Sequence, residues 1–328
     1  MSAPAEVPST PRLTVLFIGG MGRSGSTLLD RLLGQQPGCT AVGELGLLWR
    51  SGLAENRLCG CGTSLQQCAF WQAVGDAAFG GFGSLSASTL ETLQGFWAQR
   101  RRFASRLVRP SGLGAADRAA LSTYSRHLAR LLAGVQAVAG CTVVVDSSKT
   151  PAHLAALLAV PEIDVHVVHL VRDPRAVADS WLRRRRRLDG PGREEFFEPV
   201  PAWKTALLWS GINLALWRMR RSARSAQVLR YEDFAAAPAA ALAAIVRQIG
   251  RTEQPPAALP SRFDFGLQHT VAGNSLRLHS GPIEVRPDRI WEERLPASAH
   301  WLVTACAWPG LLAYGYSVFP RRPRAVRS

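Results

Sequence analysis

The sequence predicts an α/β fold in which a parallel β-sheet carries helices on both faces. Three observations support this prediction. Four short apolar runs rich in β-branched residues have the character of buried strands, helix-like segments alternate with them, and a glycine-rich loop joins the first run to the first helix. Such alternation is typical of βαβ units, which place their strands side by side in parallel.

The predicted elements follow in a regular order. The apolar runs lie at residues 13–18, 142–145, 165–171 and 228–231, and the helix-like segments lie at residues 26–35, 151–159, 174–187, 202–221 and 235–250. The runs are continuously apolar, as expected of parallel strands that are covered on both faces. We therefore expect a sheet between two layers of helices.

Residues 49–140 differ from the rest of the chain. Two arginine-rich helical stretches flank a patch rich in glycine and serine at residues 77–88. We interpret this segment as a mainly helical insertion over the sheet, within a single domain of residues 11–320. Residues 1–10 and 321–328 are predicted to be disordered tails.

The composition predicts a globular protein with an anionic partner. The chain has 328 residues, 47% hydrophobic content and a formal charge of +15, so it can bury a large core and attract anions. Only Lys149 and Lys204 are lysines. This indicates an arginine-biased composition rather than a nucleic-acid surface, and no nucleic-acid partner is expected. No apolar run is long enough for a transmembrane segment and the first residues lack a signal pattern, so we expect a cytoplasmic location.

The loop after the first predicted strand has the pattern of a phosphate-binding loop without its lysine. Residues 20–27, GMGRSGST, fit G-x-x-x-x-G-K-[ST] except that Ser26 replaces the lysine. Glycines let backbone N–H groups converge on one anion, and the following helix adds its positive end. The missing lysine argues against hydrolysis of ATP or GTP. Arg23, inside the loop, can supply a planar cation that grips oxyanions.

Two further stretches place polar residues where predicted strands end. Asp146 to Lys149 follow the second strand, and His153 comes one helical turn later. Arg172 ends the next strand, and Ser180 lies about two turns into the following helix. Ligands of open α/β sheets bind at the carboxyl ends of strands, so Lys149, Arg172 and Ser180 are candidate anion ligands and His153 is a candidate base. Arg184, one turn beyond Ser180, is a further candidate.

Taken together, these stretches resemble sulfotransferases that use 3′-phosphoadenosine 5′-phosphosulfate (PAPS). GRSGSTLL resembles the loop for the 5′-phosphosulfate of that family, and VRDPRAVADS resembles its 3′-phosphate motif. The order of GRSGST, GE, SSK, RDPR…S and YEDF also matches, and AGNSLR…GPIEVRPDRIWEERL resembles the closing segment of bacterial members. The resemblance implies a P-loop nucleoside-triphosphate-hydrolase-like three-layer fold, PAPS as co-substrate, PAP as product, and no required metal.

The resemblance also implies roles for individual residues. The 5′ side of PAPS would contact Arg23, Ser24, Gly25, Ser26 and Thr27, and the 3′-phosphate would contact Arg172 and Ser180, with Arg184 as an addition. Tyr231 would lie near the adenine, and Asn274 and Arg277 would close over the nucleotide.

The catalytic base has two candidates. Glu44 lies where tyrosylprotein sulfotransferases and related enzymes place a catalytic glutamate, and a carboxylate there could take the proton from an attacking hydroxyl. Cytosolic members of the superfamily use a histidine, which keeps His153 as the alternative. Arg23 and Lys149 are expected to stabilise charge on the leaving nucleotide.

The cysteines at positions 59, 61 and 68 form a dense cluster. Three thiolates could bind zinc, with Cys39 as a candidate fourth ligand, but the spacing lacks paired C-x-x-C knuckles. A disulfide is disfavoured in a reducing compartment. We expect free, packed cysteines and no metal.

The acceptor is the least constrained part of the prediction. The hydroxyl of a small molecule, a glycan or a lipid would suit the reaction, and a small molecule of bacterial secondary metabolism is preferred by analogy with the family. The insertion is expected to shape the acceptor pocket. A homodimer remains open. The rival functions are a P-loop kinase or phosphotransferase and a non-catalytic nucleotide-binding protein.

Overall fold

The computed structural model describes residues 12–100, 102, 106, 112–190, 194–251 and 262–319. The strands in this part of the chain are β1 Leu13–Gly19, β2 Cys39–Gly43, β3 Val143–Lys149, β4 Ile163–Val171, β5 Arg185–Arg187, β6 Glu195–Phe197, β7 Ser225–Arg230, β8 Arg262–Phe265 and β9 Gly281–Glu284. Five of them form one parallel sheet in the order β2-β3-β1-β4-β7. The pairs β5-β6 and β8-β9 are separate antiparallel hairpins.

The helices of the described residues surround this sheet. They are α1 Ser26–Leu33, α2 Ala69–Phe79, α3 Ala87–Ala98, α4 Ala115–Ala139, α5 Pro151–Leu158, α6 Pro174–Leu182, α7 Ala202–Met219, α8 Tyr231–Ala236, α9 Pro238–Gln248, α10 Trp291–Arg294 and α11 Ala297–Ala313. Short 3₁₀ turns occur at Leu45–Leu47, Leu65–Gln67, Phe82–Ser84, Arg220–Ser222 and Ser275–Leu278, and a π-helical segment spans Leu48–Ala54. None of the described helices combines the length and apolar character needed to cross a membrane.

Alternate residues of the central strand face two different cores. Val15 and Phe17 of β1 pack in a core with α2, α4 and α5, whereas Leu16 and Ile18 pack in a core with α1, α8 and α9. All four side chains are fully buried. The strand is therefore apolar on both faces because each face is covered by helices. This confirms the predicted α/β class with a central parallel sheet.

One observed strand was not predicted, and two predicted helices differ from the observed ones. The strand β2 was not predicted, because CTAVG is short and has only one large apolar residue, Val42. The predicted helix 174–187 is wrong beyond Leu182, since Arg183 is extended and β5 begins at Arg185. The predicted helix 235–250 is divided at Ala237 because Pro238 has no N–H and disfavours a helical residue before it.

The segment predicted as an insertion contains α2, α3 and α4 in its described part. The single-domain boundaries at residues 11 and 320 remain a prediction. The predicted tails, residues 1–10 and 321–328, lie outside the described residues.

Candidate active site

A cavity of about 830 Å³ opens at the carboxyl end of the parallel sheet. Each of the five sheet strands delivers residues to it. The loop 20–27 follows β1, Glu44 follows β2, Lys149 ends β3, Arg172 follows β4, and Tyr231 follows β7. The sequence thus places its candidate residues at one rim, as open α/β sheets do with their ligand sites.

The glycine-rich loop ends in a helix whose N-terminus has no side-chain cap. Gly25 precedes α1 with φ of 90° and ψ of 9°, a left-handed conformation that favours glycine. A Cβ on Gly25 would stand 2.5 Å from Cδ2 of Tyr231, so the ring packs directly on the loop. The first N–H groups of a helix have no partner within the helix, which makes this end of α1 suitable for an anion.

Arg23 lies in the loop between two aromatic side chains. Its guanidinium carbon is 5.0 Å from the ring centroid of Trp181 and 4.9 Å from that of Phe197. Burial lowers the pKa of the Arg23 guanidinium, with a smaller contribution from the nearby positive charge of Arg185. Cation–π contacts hold the cation in place while leaving its N–H groups for an oxyanion.

Lys149 and Glu44 form an ion pair in the cavity wall. The Nζ of Lys149 contacts Oε1 of Glu44, and the two side chains are only 11% and 17% exposed. Lys149 has a positive φ of 67°, and its carbonyl accepts a hydrogen bond from Gly20 N at 3.2 Å. This left-handed end of β3 connects the lysine to the loop. Backbone strain of this kind in a non-glycine residue is concentrated at functional sites.

A buried polar chain supports the segment that follows Glu44. The Ser148 hydroxyl accepts a hydrogen bond from Gly46 N at 2.9 Å and donates to Oδ1 of Asp146 at 2.5 Å. His153 Nε2 donates to Asp146 Oδ2 at 2.6 Å and His153 Nδ1 accepts from the Tyr124 hydroxyl at 3.0 Å. His153 is fully buried and lies outside the cavity lining. It therefore positions Asp146 and has no access to an acceptor.

Arg172 connects the loop to the C-terminal part of the chain. Its Nη1 donates to the carbonyl of Arg23 at 3.0 Å, and its Nη2 donates to Asp288 Oδ2 at 2.8 Å. The guanidinium carbon lies 4.4 Å from the ring centroid of Tyr231. The carboxylate of Asp288 therefore pairs with the guanidinium that the family resemblance assigns to the 3′-phosphate. Ser180 lines the same part of the cavity.

Most of the predicted site residues line this one cavity. They are Arg23, Gly25, Ser26, Thr27, Glu44, Lys149, Arg172, Ser180, Tyr231 and Asn274. The side chain of Asn274 accepts from Leu276 N at 3.0 Å, and its backbone N–H donates to the Thr27 hydroxyl at 3.4 Å. The closing segment therefore touches the loop directly.

Besides His153, three predicted residues do not line the cavity. Ser24 is buried, with a hydroxyl that has no hydrogen-bond partner in the described part of the chain. Arg184 turns away, because the helix ends before it and its guanidinium stacks on Phe196 at 4.0 Å. Arg277 is fully buried and donates to the carbonyls of Thr270 and Leu58. Burial lowers the pKa of Arg277. Its contacts are those of a structural residue.

Further residues that the sequence did not predict also line the cavity. They are Leu47, Trp97, Arg100, Trp181, Arg183, Arg185, Arg187, Phe197, Leu207, Leu208, Ile212, Leu276 and Asp288. Three of the apolar members lie on α7, and Trp97 lies in the insertion. No sequence pattern marks them, because an apolar residue on a helix has the same signature whether it faces a core or a cavity. The arginines of β5 lie in a stretch that was predicted as the end of helix 174–187 and is extended in the structure.

The comparisons with known proteins agree with this geometry. A sequence model of the sulfotransferase family matches residues 16–255. The chain belongs to the sulfotransferase family. This confirms the family resemblance and makes the protein a sulfotransferase enzyme, with a hydroxyl acceptor implied by the family. No curated protein matches the sequence.

Two solved structures are similar to this sulfotransferase. The sulfotransferase domain from the Synechococcus PCC 7002 olefin synthase is 21% identical, with 94% of this chain and 98% of that domain covered and a TM-score of 0.50. The sulfotransferase domain from the curacin biosynthetic pathway is 15% identical, with 94% and 99% covered and a TM-score of 0.48. The first likeness, together with the family match, confirms the P-loop-like three-layer fold.

Proposed function

We propose that this sulfotransferase moves the sulfuryl group of PAPS to a hydroxyl of a small-molecule acceptor by in-line transfer. One observation carries the proposal. Arg23, Lys149 and Arg172 come from three separate parts of the chain and line the same cavity. A nucleotide that is charged at both its 5′ and 3′ ends needs cations at two places, and these side chains supply them.

The donor chemistry of the lining residues suits such a nucleotide. The uncapped start of α1 offers backbone N–H groups to the 5′ end, with the hydroxyls of Ser26 and Thr27 beside them. Arg172 and Ser180 would hold the 3′-phosphate. On binding, the phosphate would replace the carboxylate of Asp288 as the partner of Arg172. A volume of about 830 Å³ lies in the range of small-molecule sites.

Each polar residue has a distinct part in the proposed reaction. PAPS supplies an activated sulfuryl group on a good leaving nucleotide. Glu44 accepts the proton of the acceptor hydroxyl as that oxygen attacks. Lys149, which is paired with Glu44, and Arg23 place positive charge where negative charge grows on the leaving side. Binding of donor and acceptor in one cavity would hold them in position for in-line transfer, which would lower the entropic part of the barrier.

The apolar wall of the cavity supports an acceptor with an apolar body. Leu207, Leu208 and Ile212 project from α7, and Trp97 projects from the insertion. This lining favours a hydrophobic small molecule or a lipid over a glycan, whose hydroxyls would need more polar partners. By analogy with the family, a small molecule of bacterial secondary metabolism is the preferred acceptor.

Incubation with labelled PAPS and a panel of hydroxyl compounds tests the proposal. The panel contains phenols, aliphatic alcohols, hydroxylated lipids and sugars, and products are scored by the mass of an added sulfo group together with release of PAP. We expect turnover with apolar alcohols or phenols and none with ATP as donor. Phosphorylated products from ATP would support the rival kinase function, and PAP binding with no turnover on any acceptor would support a non-catalytic binder.

A further inference from the structure

A cluster of metal-binding side chains lies outside the cavity. It consists of Cys59, Cys61, Cys68 and His269, and we call it the Cys3His cluster. Its four ligand atoms all lie within 4.8 Å of one another. Cys59 and Cys68 are buried, and Cys61 and His269 are half-buried. The sequence analysis considered Cys39 as a fourth ligand, but the structure brings His269 to the cluster instead.

A tight turn directs the first two cysteines to the same side. Cys59 N donates to the carbonyl of Thr63 at 2.7 Å, and Gly62 N donates back to the carbonyl of Cys59 at 2.9 Å. Leu58 and Ser64 form an antiparallel bridge on either side of the turn. The local backbone therefore makes up for the absence of a C-x-x-C pair, because the turn itself brings the sulfurs of a C-x-C together.

The other two ligands are held by different elements. Cys68 is the N-cap residue of α2, where the positive end of the helix favours a thiolate. The ring of His269 stacks on Phe70, with centroids 4.8 Å apart and an interplanar angle of 11°. This stacking fixes the ring with Nδ1 directed at the sulfurs, 3.2 Å from Cys68 Sγ and 3.9 Å from Cys59 Sγ.

The distances within the cluster match a tetrahedral ion. With Zn–S near 2.3 Å and Zn–N near 2.0 Å, a tetrahedron places its ligand atoms roughly 3.5 to 3.8 Å apart. The Sγ atoms of Cys61 and Cys68 are 3.7 Å apart. A disulfide would require about 2.05 Å. The four ligand atoms are therefore close enough to surround one ion, and the sulfurs of Cys61 and Cys68 are too far apart for a disulfide.

We propose that the Cys3His cluster binds a structural Zn²⁺. Three thiolates and one imidazole fill all four positions of the ion, so the site is closed and leaves none for a substrate. Soft thiolates with one imidazole select zinc over magnesium or calcium. This site revises the expectation of free cysteines and no metal, and it stands independently of the proposed donor and acceptor.

The ion would connect the insertion to the closing segment. His269 is followed directly by residues whose backbone reaches the active site: Gly60 N donates to the carbonyl of Thr270 at 2.9 Å, and Glu44 N donates to the carbonyl of Val271 at 3.2 Å. Arg277 adds a second link, because its Nη2 donates to Leu58 O at 2.7 Å and its Nη1 to Thr270 O at 3.1 Å. The zinc would therefore stabilise the backbone that holds Glu44.

Metal analysis of the full chain tests the proposal. The protein is purified without chelators and without a polyhistidine tag, and zinc is measured by inductively coupled plasma mass spectrometry. We expect about one zinc per chain, falling below about 0.1 in Cys61→Ser. Cys306→Ser is the matched control, because Cys306 lies on α11 away from the cluster, and it should retain the zinc.

A second measurement applies even if Cys61→Ser fails to fold. Zinc is removed from the wild-type protein and Co²⁺ is titrated in, and a tetrahedral thiolate site gives intense visible bands together with a sulfur-to-cobalt charge-transfer band. Absence of zinc in the purified protein together with absence of these bands would overturn the proposal. A disulfide between Cys61 and Cys68 in protein prepared under argon would also overturn it, as would equal zinc loss in Cys306→Ser.

Discussion

Glu44 is a carboxylate whose partner is a cation from a different strand. It follows β2, whereas Lys149 ends β3, and their side chains meet in the cavity wall. The pairing offsets the cost of placing a carboxylate in a mostly buried position, where an unpaired charge would be costly. An acceptor hydroxyl that enters the cavity would thus find a proton acceptor next to a group that stabilises anionic oxygen.

Replacing Glu44 by Gln should abolish most turnover while leaving donor binding in place. The amide keeps the shape of the side chain but cannot take a proton, so we expect kcat to fall by about a hundredfold or more. Single-turnover assays with PAPS measure the chemical step, and calorimetry measures PAP affinity. Glu162→Gln, at an exposed position before β4, is the control. A Glu44→Gln enzyme with the wild-type rate would exclude Glu44 as the base.

The helix α7 connects the cavity to the sheet. Leu207 and Ile212 line the cavity, while Asn213 is buried and its Oδ1 accepts from Nε2 of His169 on β4 at 2.9 Å. Nδ1 of His169 has no hydrogen-bond partner among the described residues. One helix therefore shapes the proposed acceptor site on one side and anchors to a buried neutral imidazole on the other.

The stability of this anchor should depend on pH. Burial is the main reason that the pKa of His169 falls to about 4, with a smaller contribution from the charge of Arg220. The unfolded chain takes up this proton near pH 6.5, whereas the folded chain does so only near pH 4. The contribution of His169 to the free energy of unfolding is therefore fully present above about pH 6.5 and is lost as the pH falls toward about 4. Between about pH 7.5 and pH 5 the loss from this group should be about 2 kcal/mol.

Urea unfolding of His169→Gln at these two pH values measures the effect. Glutamine keeps an amide donor for Asn213 but does not titrate, so its loss of stability between the two pH values should be smaller than that of the wild type by about 2 kcal/mol. Equal losses in the two proteins would show that His169 does not hold a depressed pKa.

A polar residue at position 207 should weaken acceptor binding selectively. Leu207 is 53% exposed, so Leu207→Ser removes apolar lining without opening the core. We expect the KM for an apolar acceptor to rise about three- to tenfold with an unchanged PAP affinity. Leu312→Ser, an equally exposed leucine on α11 outside the cavity lining, should change neither. A proportional loss of donor and acceptor affinity in Leu207→Ser would contradict an acceptor role for this wall.

The sequence predicted the elements whose signals are local. Strands β1 and β4 are long apolar runs, and the glycine loop is marked by its own residues. The strand β2 has no such signal, since its pairing with β3 decides its conformation. The extended conformation of β5 depends on its pairing with β6. The local propensity of residues 185–187 does not reveal this pairing, because the partner strand lies elsewhere in the sequence.

At the scale of the whole molecule, the fold gathers cations that the sequence scatters. The five-stranded order brings the ends of all the sheet strands to one rim. Residues at strand ends were therefore predictable as site residues, as with Lys149 and Arg172. Asp288 was not, because its contact with Arg172 spans 116 residues. Arg184 was predicted as a site residue because the helix was predicted to continue to residue 187, whereas it ends at Leu182.

The central claim is that Arg172 recognises a 3′-phosphate in the cavity. Calorimetry with PAP and with AMP, which lacks that phosphate, measures this directly in the wild type, in Arg172→Ala and in the control Arg184→Ala. A charge-assisted phosphate contact is worth about 1.5 to 3 kcal/mol, so the wild type and Arg184→Ala should prefer PAP by roughly ten- to a hundredfold. Arg172→Ala should lose this preference. Equal affinities of the wild type for PAP and AMP, or an undiminished preference in Arg172→Ala, would contradict the account.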